Sequence, residues 1–261
     1  MSGGWSRPIS DFEADRITTE INEQGYGTLR NFVSEAELAP VRAIARSVLR
    51  EAGGEYAWWA GAEAFSGTVL SELPHSAAFK DLCRRLFQRV AGDMMVEDNL
   101  FQTFRCLHGD TGQSRHHFYA FHYDGFILTT ILPVAIPENA PHGDLVIVPN
   151  TRRIRQWYVS SLVESNFVKL APIQFLLGIL ARRRKLNTVT VRLKPGDLYF
   201  IWGYQSLHAN GPCARDALRA TAIFQYGNPH QHSTLSETIR SVMPRVGVRK
   251  LYWSNQKRHD S

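Results

Sequence analysis

Tyr119-Ala120-Phe121-His122-Tyr123-Asp124-Gly125-Phe126 sets a histidine and a carboxylate two residues apart in a run of strand-forming residues. Side chains alternate faces along an extended backbone, so His122 and Asp124 project to the same side. Two short ligands on one side can grip one face of a metal ion and leave the other face open. They are two of the three protein ligands of a two-histidine, one-carboxylate metal site.

The pattern needs support from its surroundings, because His-x-Asp is a weak motif. Ten histidines and eleven aspartates scattered through 261 residues give roughly 0.4 such triplets by chance, and this chain has three. His108-Gly109-Asp110-Thr111-Gly112 holds two glycines among polar residues and reads as a turn, a poor support for a metal. His142-Gly143-Asp144 follows Pro141 and falls in the turn before Leu145-Val146-Ile147-Val148. Only His122-Tyr123-Asp124 is bracketed by strand-forming residues that would give it a rigid support.

Working outward, the sequence from about residue 95 is a succession of strands broken by Gly and Pro. They are expected over 99–107, 117–123, 126–136, 144–149, 188–193, 197–202 and 219–226, with Lys194-Pro195-Gly196-Asp197 as a tight turn. The earlier part is helical. Ser10-Asp11-Phe12-Glu13 and Ser34-Glu35-Ala36-Glu37 are capping boxes, and Ser76 caps a third helix. A short strand is expected in Tyr26–Val33, and residues 55–70, with Tyr56, Trp58 and Trp59, read as irregular. The expectation is an α+β, mainly β fold. An antiparallel sandwich or barrel spans about 95–230, and a helical layer, about 8–93, packs outside it as part of one domain over 1–261.

Residues 150–187 interrupt the strands and are too long for an ordinary loop, which marks them as an insertion or lid. Leu170-Ala171-Pro172-Ile173-Gln174-Phe175-Leu176-Leu177-Gly178-Ile179-Leu180 is apolar, and Arg182-Arg183-Arg184-Lys185 follows it. Two readings compete. One is a buried helix with a solvated basic end; the other is an interfacial helix over 170–185 touching a membrane or a lipid-like substrate.

The third metal ligand is expected from a distant strand. His208, in Ser206-Leu207-His208-Ala209-Asn210, has that position. Arg219 lies eleven residues on, and Thr221 shares its face. An inward arginine beside a hydroxyl is a receptor for a carboxylate through charge-assisted bidentate bonds.

On these residues the chain resembles the Fe(II)/2-oxoglutarate-dependent dioxygenases, in particular their phytanoyl-CoA dioxygenase-like branch. The likeness covers most of the chain. It runs from Gln24-Gly25-Tyr26 through Asn31-Phe32-Val33-Ser34 and Glu35-Ala36-Glu37-Leu38. It continues with His122-Tyr123-Asp124, Gly143, Val148-Pro149, Pro195-Gly196-Asp197, His208 and Arg219. The resemblance implies a double-stranded β-helix, or jelly roll. It implies that His122, Asp124 and His208 bind Fe(II), that Arg219 and Thr221 hold the distal carboxylate of 2-oxoglutarate, and that Gln102 is a further polar contact to this cosubstrate. O2 would complete the set, with succinate and CO2 as products. Where relatives have Gly-Ser-His, this chain has Asn150-Thr151-Arg152-Arg153 after the proline. The presence of Asp124 disfavours the halogenase variant, which lacks that carboxylate.

The expected activity is hydroxylation of an unactivated C–H, with desaturation or ring formation as the alternative. Trp58, Trp59 and the insertion are expected at the pocket mouth. Arg152, Arg153, Arg155 and Arg182–Lys185 favour an anionic small or lipid-linked substrate, such as an acyl-carrier thioester, a phosphorylated lipid or a sugar acid. A non-catalytic jelly-roll binder and a zinc hydrolase are the competing classes; a hydrolase would have no need of the Arg219–Thr221 clamp. The net charge of +6 is not interleaved with stacking aromatics in a recognisable module, which speaks against nucleic acid. Three widely spaced cysteines, Cys83, Cys106 and Cys213, form no disulfide framework. With no signal peptide and no apolar run of spanning length, the expected location is the cytoplasm, with 170–185 as the candidate peripheral membrane contact.

Overall fold

The computed structural model describes residues 8–51, 53, 54, 56–61, 63–109, 117–155, 157–183, 186–215, 217–231 and 233. Helix α1 (Asp11–Gln24) opens on the reciprocal Ser10–Glu13 box and buries Ala14, Ile17 and Ile21. Helix α2 (Glu35–Glu51) opens on the equivalent Ser34–Glu37 pair and turns Leu38, Val41, Ala45 and Leu49 inward. The short α3 (Val69–Glu72) is capped by Thr68. The longer α4 (Ala77–Ala91) is capped by Ser76 and buries Phe79, Leu82, Cys83, Leu86 and Phe87. In each case a hydroxyl satisfies an amide at the helix start while an apolar stripe faces the sheet.

The strands are β1 (Gly27–Leu29), β2 (Tyr56–Ala60), β3 (Phe101–His108), β4 (Leu128–Ala135), β5 (Leu145–Val148), β6 (Val189–Val191), β7 (Leu198–Ile201), β8 (Leu207–Asn210) and β9 (Leu218–Tyr226). They form a six-stranded sheet in the order β1-β7-β4-β9-β3-β2 and a three-stranded sheet in the order β6-β5-β8. All pairings between these strands are antiparallel. Alternation sorts the large sheet into two faces. Phe104, Leu128, Leu132, Phe200, Ala222 and Phe224 join the core shared with α1–α4. Ile131, Tyr199 and Ile201 point the other way, onto Leu145, Ile147 and Val191 of the small sheet. The result is a mainly β jelly roll with helices on its outer face, as the sequence led us to expect.

Two local readings change, and the insertion takes a definite form. Residues 56–60 are not irregular: they form β2, the edge strand beside β3. Trp59 is buried against Phe65 and Phe104. Residues 117–123 are not a ladder strand. Phe118 and His122 instead make isolated bridges to Asn210 and His208. The 150–187 insertion folds as two helices, α5 (Tyr158–Val168) and α6 (Ala171–Arg182), with Pro172 in the first turn of α6. Val168, Leu177 and Ala181 pack with Phe121, Val146, Leu207 and Ala209, so the pair covers the outer face of the small sheet.

Candidate metal centre and anion pocket

Strand β8 pairs with β5 along one edge and offers the other to the 118–124 segment. There the backbones of His122 and His208 exchange hydrogen bonds of 3.0 and 3.1 Å, and Tyr119 N donates to Asn210 O at 2.8 Å. Asp124 N donates to Gly203 O at 2.9 Å. The chain around the two histidines is therefore fixed by main-chain bonds, which are indifferent to the side chains they present.

Each imidazole is oriented by its own backbone. His122 Nδ1 lies 2.9 Å from Ala120 O, and His208 Nδ1 lies 3.0 Å from Ser206 O. A carbonyl can only accept, so both Nδ1 atoms carry a proton and both Nε2 atoms face inward. His122 Nε2 is 3.8 Å from Asp124 Oδ1, and His208 Nε2 is 3.5 Å from Asp124 Oδ2. One ligand atom from each residue falls within 4.8 Å of the others. Two ligands of a metal with bonds of about 2.1 Å lie at most about 4.2 Å apart, so both carboxylate–imidazole separations suit a single ion.

Thr129 Oγ1, projecting from β4, donates to Asp124 Oδ2 at 2.6 Å and fixes the carboxylate. A Cβ on Gly203 would sit 2.5 Å from the same oxygen, so only glycine lets this loop pass. Burial and the neighbouring His208 push the pKa of His122 down to about 4, leaving it neutral at physiological pH. Burial works to raise the Asp124 carboxyl. The His208 and His122 imidazoles and the Thr129 hydroxyl outweigh it and hold the group below the ordinary carboxylate range. Both groups thus stand in the protonation state that a metal requires of its ligands.

Arg219 is buried on the inner face of β9. Its Nε donates to Gly143 O at 2.9 Å, and one terminal nitrogen donates to Asn210 Oδ1 at 2.8 Å. Gly143 has φ +74°, and a Cβ there would lie 2.5 Å from Arg219 Cδ. Glycine is required both by the backbone and by the guanidinium stem. Burial pulls the Arg219 pKa down to about 10, which still leaves a full cation at neutral pH. Among the described residues no carboxylate forms an ion pair with it. A buried, unneutralised guanidinium held on one side is a receptor waiting for an anion.

Arg219, Asn210 and His122 line one cavity of about 550 Å³. Tyr56, Arg105, Tyr119, Lys169, Gln174, Phe175 and Arg182 complete much of its wall. Arg105 stands opposite Thr221 across the β3–β9 ladder, and its buried Nε has no hydrogen-bond partner. Thr221 is on the Arg219 face, as expected.

Gln102 is not brought to this site. It shares a face with Phe104 and Cys106, and its side-chain amide donates to Leu70 O at 3.1 Å in the helical layer. The apolar alternation of Phe104 and Cys106 carried the signal: it assigns even-numbered residues of β3 to the core and Arg105 to the cavity.

Other expectations also move. Arg152 is buried with its guanidinium between the rings of Tyr123 and Tyr204, 4.0 and 4.1 Å from their centroids. Its Nε donates to Tyr204 O at 2.6 Å. Arg155 is paired with Glu164. Arg152 thus pins the insertion to the jelly roll, and Arg155 is engaged within the insertion, instead of both facing a substrate. Trp58 and Trp59 do not line the cavity, whereas Tyr56 of the same strand does. His142 Nδ1 is turned to Pro137 O at 2.9 Å, outside the metal cluster, and Asp110 of the first triplet lies outside the described residues. Thr129, Asn210, Arg105 and Gln174 are functional candidates that sequence reading did not single out, because only the fold brings them to the site.

No protein-family model and no curated protein matches the chain. Solved structures do. The non-heme α-ketoglutarate-dependent carbocyclase SnoK of nogalamycin biosynthesis aligns with a TM-score of 0.53 at 16% identity, covering 91% of this chain and 94% of that one. A Pseudomonas putida prolyl-4-hydroxylase aligns with a TM-score of 0.51 at 13% identity, covering 85% and 97%. A prolyl hydroxylase from Trichoplax adhaerens, solved with a hypoxia-inducible-factor peptide, aligns with a TM-score of 0.52 at 13% identity, covering 82% and 89%. At these identities the likeness is one of fold: the chain has the jelly-roll fold that these oxygenases share.

Proposed function

We propose that the protein is an Fe(II)- and 2-oxoglutarate-dependent oxygenase of the phytanoyl-CoA dioxygenase-like branch, acting on an unactivated C–H of a small or lipid-linked anionic substrate. One observation carries the reading: His122, Asp124 and His208 converge as three donors, and His122 lines the same cavity as Arg219, a buried arginine that no carboxylate among the described residues approaches within ion-pair distance. The donor set suits the metal. Both imidazoles turn Nε2 inward with Nδ1 on a backbone carbonyl, the Asp124 carboxyl is ionised, and two nitrogens with one oxygen match the ligand preference of Fe(II) oxygenase sites.

His122, Asp124 and His208 would hold the iron, which with O2 supplies substrate oxidation coupled to decarboxylation of 2-oxoglutarate to succinate and CO2. The remaining work belongs to the chain. Arg219 receives the distal carboxylate of the cosubstrate. Gly143 O and Asn210 Oδ1 anchor the guanidinium on one side, so its free edge is oriented before the anion arrives. Burial strengthens that ion pair and keeps competing water away. Thr129 keeps the Asp124 carboxylate from rotating. Arg105, Lys169 and Arg182 give the cavity a positive wall, which supports an anionic substrate.

The Arg219 receptor also argues against a hydrolase, since activation of water needs no second carboxylate site. Succinate release by purified Fe(II)-loaded protein, screened against acyl-thioester, lipid, amino-acid and natural-product panels, tests the reading. Turnover stimulated by one panel and abolished by Asp124→Ala is the expected result. Undiminished turnover in that variant would rule the assignment out.

A further inference from the structure

The α5–α6 pair is built inside out for a helix pair facing water. Val159, Val163 and Phe167 recur every four residues along α5 and form one stripe, yet this stripe faces outward and the buried residue of α5 is Ser161. Trp157 precedes the stripe at 77% exposure, and Leu170, Phe175 at 72% and Leu176 extend it onto α6. A surface helix normally turns its apolar stripe to the core. Here the inward residues Val168, Leu177 and Ala181 already cover the small sheet, and a second apolar face remains. Contiguous exposed apolar surface of this kind marks an interaction site.

Charge says what kind of partner fits. Residues 150–187 hold eight basic residues and one acidic residue, Glu164, so the rest of the chain has 22 basic against 23 acidic. The whole positive excess of the protein is concentrated in its most exposed apolar segment. Glu164 is occupied by Arg155 and Arg152. Two copies meeting through this face would bring like charges together, which disfavours self-association. An anionic lipid surface satisfies both features: acyl chains accept the stripe while Lys169, Arg182 and Arg183 reach headgroups.

The geometry fits lying on a bilayer, not crossing it. The helices have 11 and 12 residues and meet at a 67° bend, and among the described residues no single helix is long and apolar enough to cross a membrane. Trp157 stands where an aromatic ring would seat at headgroup level.

We propose that the outer face of α5–α6 docks on anionic membrane surfaces. Docking turns the cavity mouth toward the lipid, because Lys169, Gln174, Phe175, Ile179 and Arg182 of the same helical pair and its connection line the cavity. A substrate partitioned in the bilayer then reaches His122 along α6 without crossing water; this consequence rests on the oxygenase reading, whereas the docking does not.

Co-sedimentation of the full chain with phosphatidylcholine vesicles, with and without phosphatidylglycerol, tests the docking without iron or cosubstrate. The expected result is binding to the anionic vesicles that weakens with salt and shifts Trp emission to the blue. Val163→Ser/Phe167→Ser and Arg182→Glu/Arg183→Glu should each lower binding by about tenfold or more while retaining the wild-type circular dichroism. Absence of wild-type binding at low salt, or binding that both double variants retain, overturns the proposal. Light scattering that finds a dimer dispersed by Val163→Ser/Phe167→Ser also overturns it, assigning the face to a second copy. Since vesicle binding needs neither iron nor 2-oxoglutarate, its failure would leave the oxygenase reading standing, and the converse holds.

Discussion

His122 and His208 are hydrogen-bonded to each other twice through their backbones, at 3.0 and 3.1 Å, while their imidazoles stand side by side with centroids 4.5 Å apart. Eighty-six residues of sequence separate them, and one antiparallel bridge delivers both rings to the same point. Because main-chain atoms make the bridge, His122→Ala and His208→Ala should keep the fold. Metal affinity should fall by more than about 100-fold, beyond the 10–100-fold typical of losing an outer partner of a ligand. Competition for Fe(II) or Mn(II) against a fluorescent chelator, with circular dichroism as the fold control, measures this.

The electrostatics of His122 set a pH dependence. Its folded pKa is about 4, against about 6.5 in an unfolded chain. Between these values the unfolded chain takes up a proton that the folded one refuses, so stability falls as pH drops through this window. Asp124, depressed below the ordinary carboxylate range, adds stability that is lost only as pH falls further, through its folded value. The metal-free protein should therefore lose Tm from pH 7 to 4.5, and His122→Gln should flatten that profile. Superimposable profiles would contradict the burial of a neutral His122.

Gly143→Ala tests the arginine's seat separately from the metal. The new methyl would meet the Arg219 stem, and the left-handed backbone costs about 1–2 kcal/mol for a residue with a Cβ. The variant should bind metal as the wild type does and lose about tenfold or more in 2-oxoglutarate affinity. Calorimetric titrations of metal, then of cosubstrate, separate the two effects.

Gln174 couples the insertion to the metal centre. From α6 it accepts from Phe121 N at 2.9 Å and donates to Phe121 O at 2.6 Å, standing in for a neighbouring strand one residue from His122. Gln174→Leu leaves Phe121 O unpaired, while Phe121 N keeps its bond to Tyr119 O at 3.0 Å, and should cost about 1–3 kcal/mol in urea unfolding. An unchanged midpoint would mean that α6 does not brace this segment.

Much of this was legible in the sequence because local chemistry and global fold agree. Ser10, Ser34 and Ser76 announce their helices, and Pro195-Gly196-Asp197 announces its turn, since each satisfies backbone demands within a few residues. His122, Asp124, His208 and Arg219 were legible as a set because their residue types have few other joint uses. The misreadings share a cause: tertiary partners outside the local window decided them. The family resemblance puts Gln102 at the cosubstrate, whereas β9 and the helical layer determine which face of its strand it takes. Arg152 looked like a free cation until the fold set Tyr123 and Tyr204 on either side of it. The 117–123 run has strand composition but meets the free edge of β8, only four residues long, through isolated bridges.

Arg219 is proposed to receive a carboxylate beside a metal held by His122, Asp124 and His208. Anaerobic calorimetric titration of the Fe(II)-loaded protein with 2-oxoglutarate tests it most directly. The wild type should bind one equivalent, and Arg219→Ala should lose about 100-fold in affinity with Fe(II) binding unchanged. Failure of the wild type to bind 2-oxoglutarate, or equal affinity in Arg219→Ala, would contradict it.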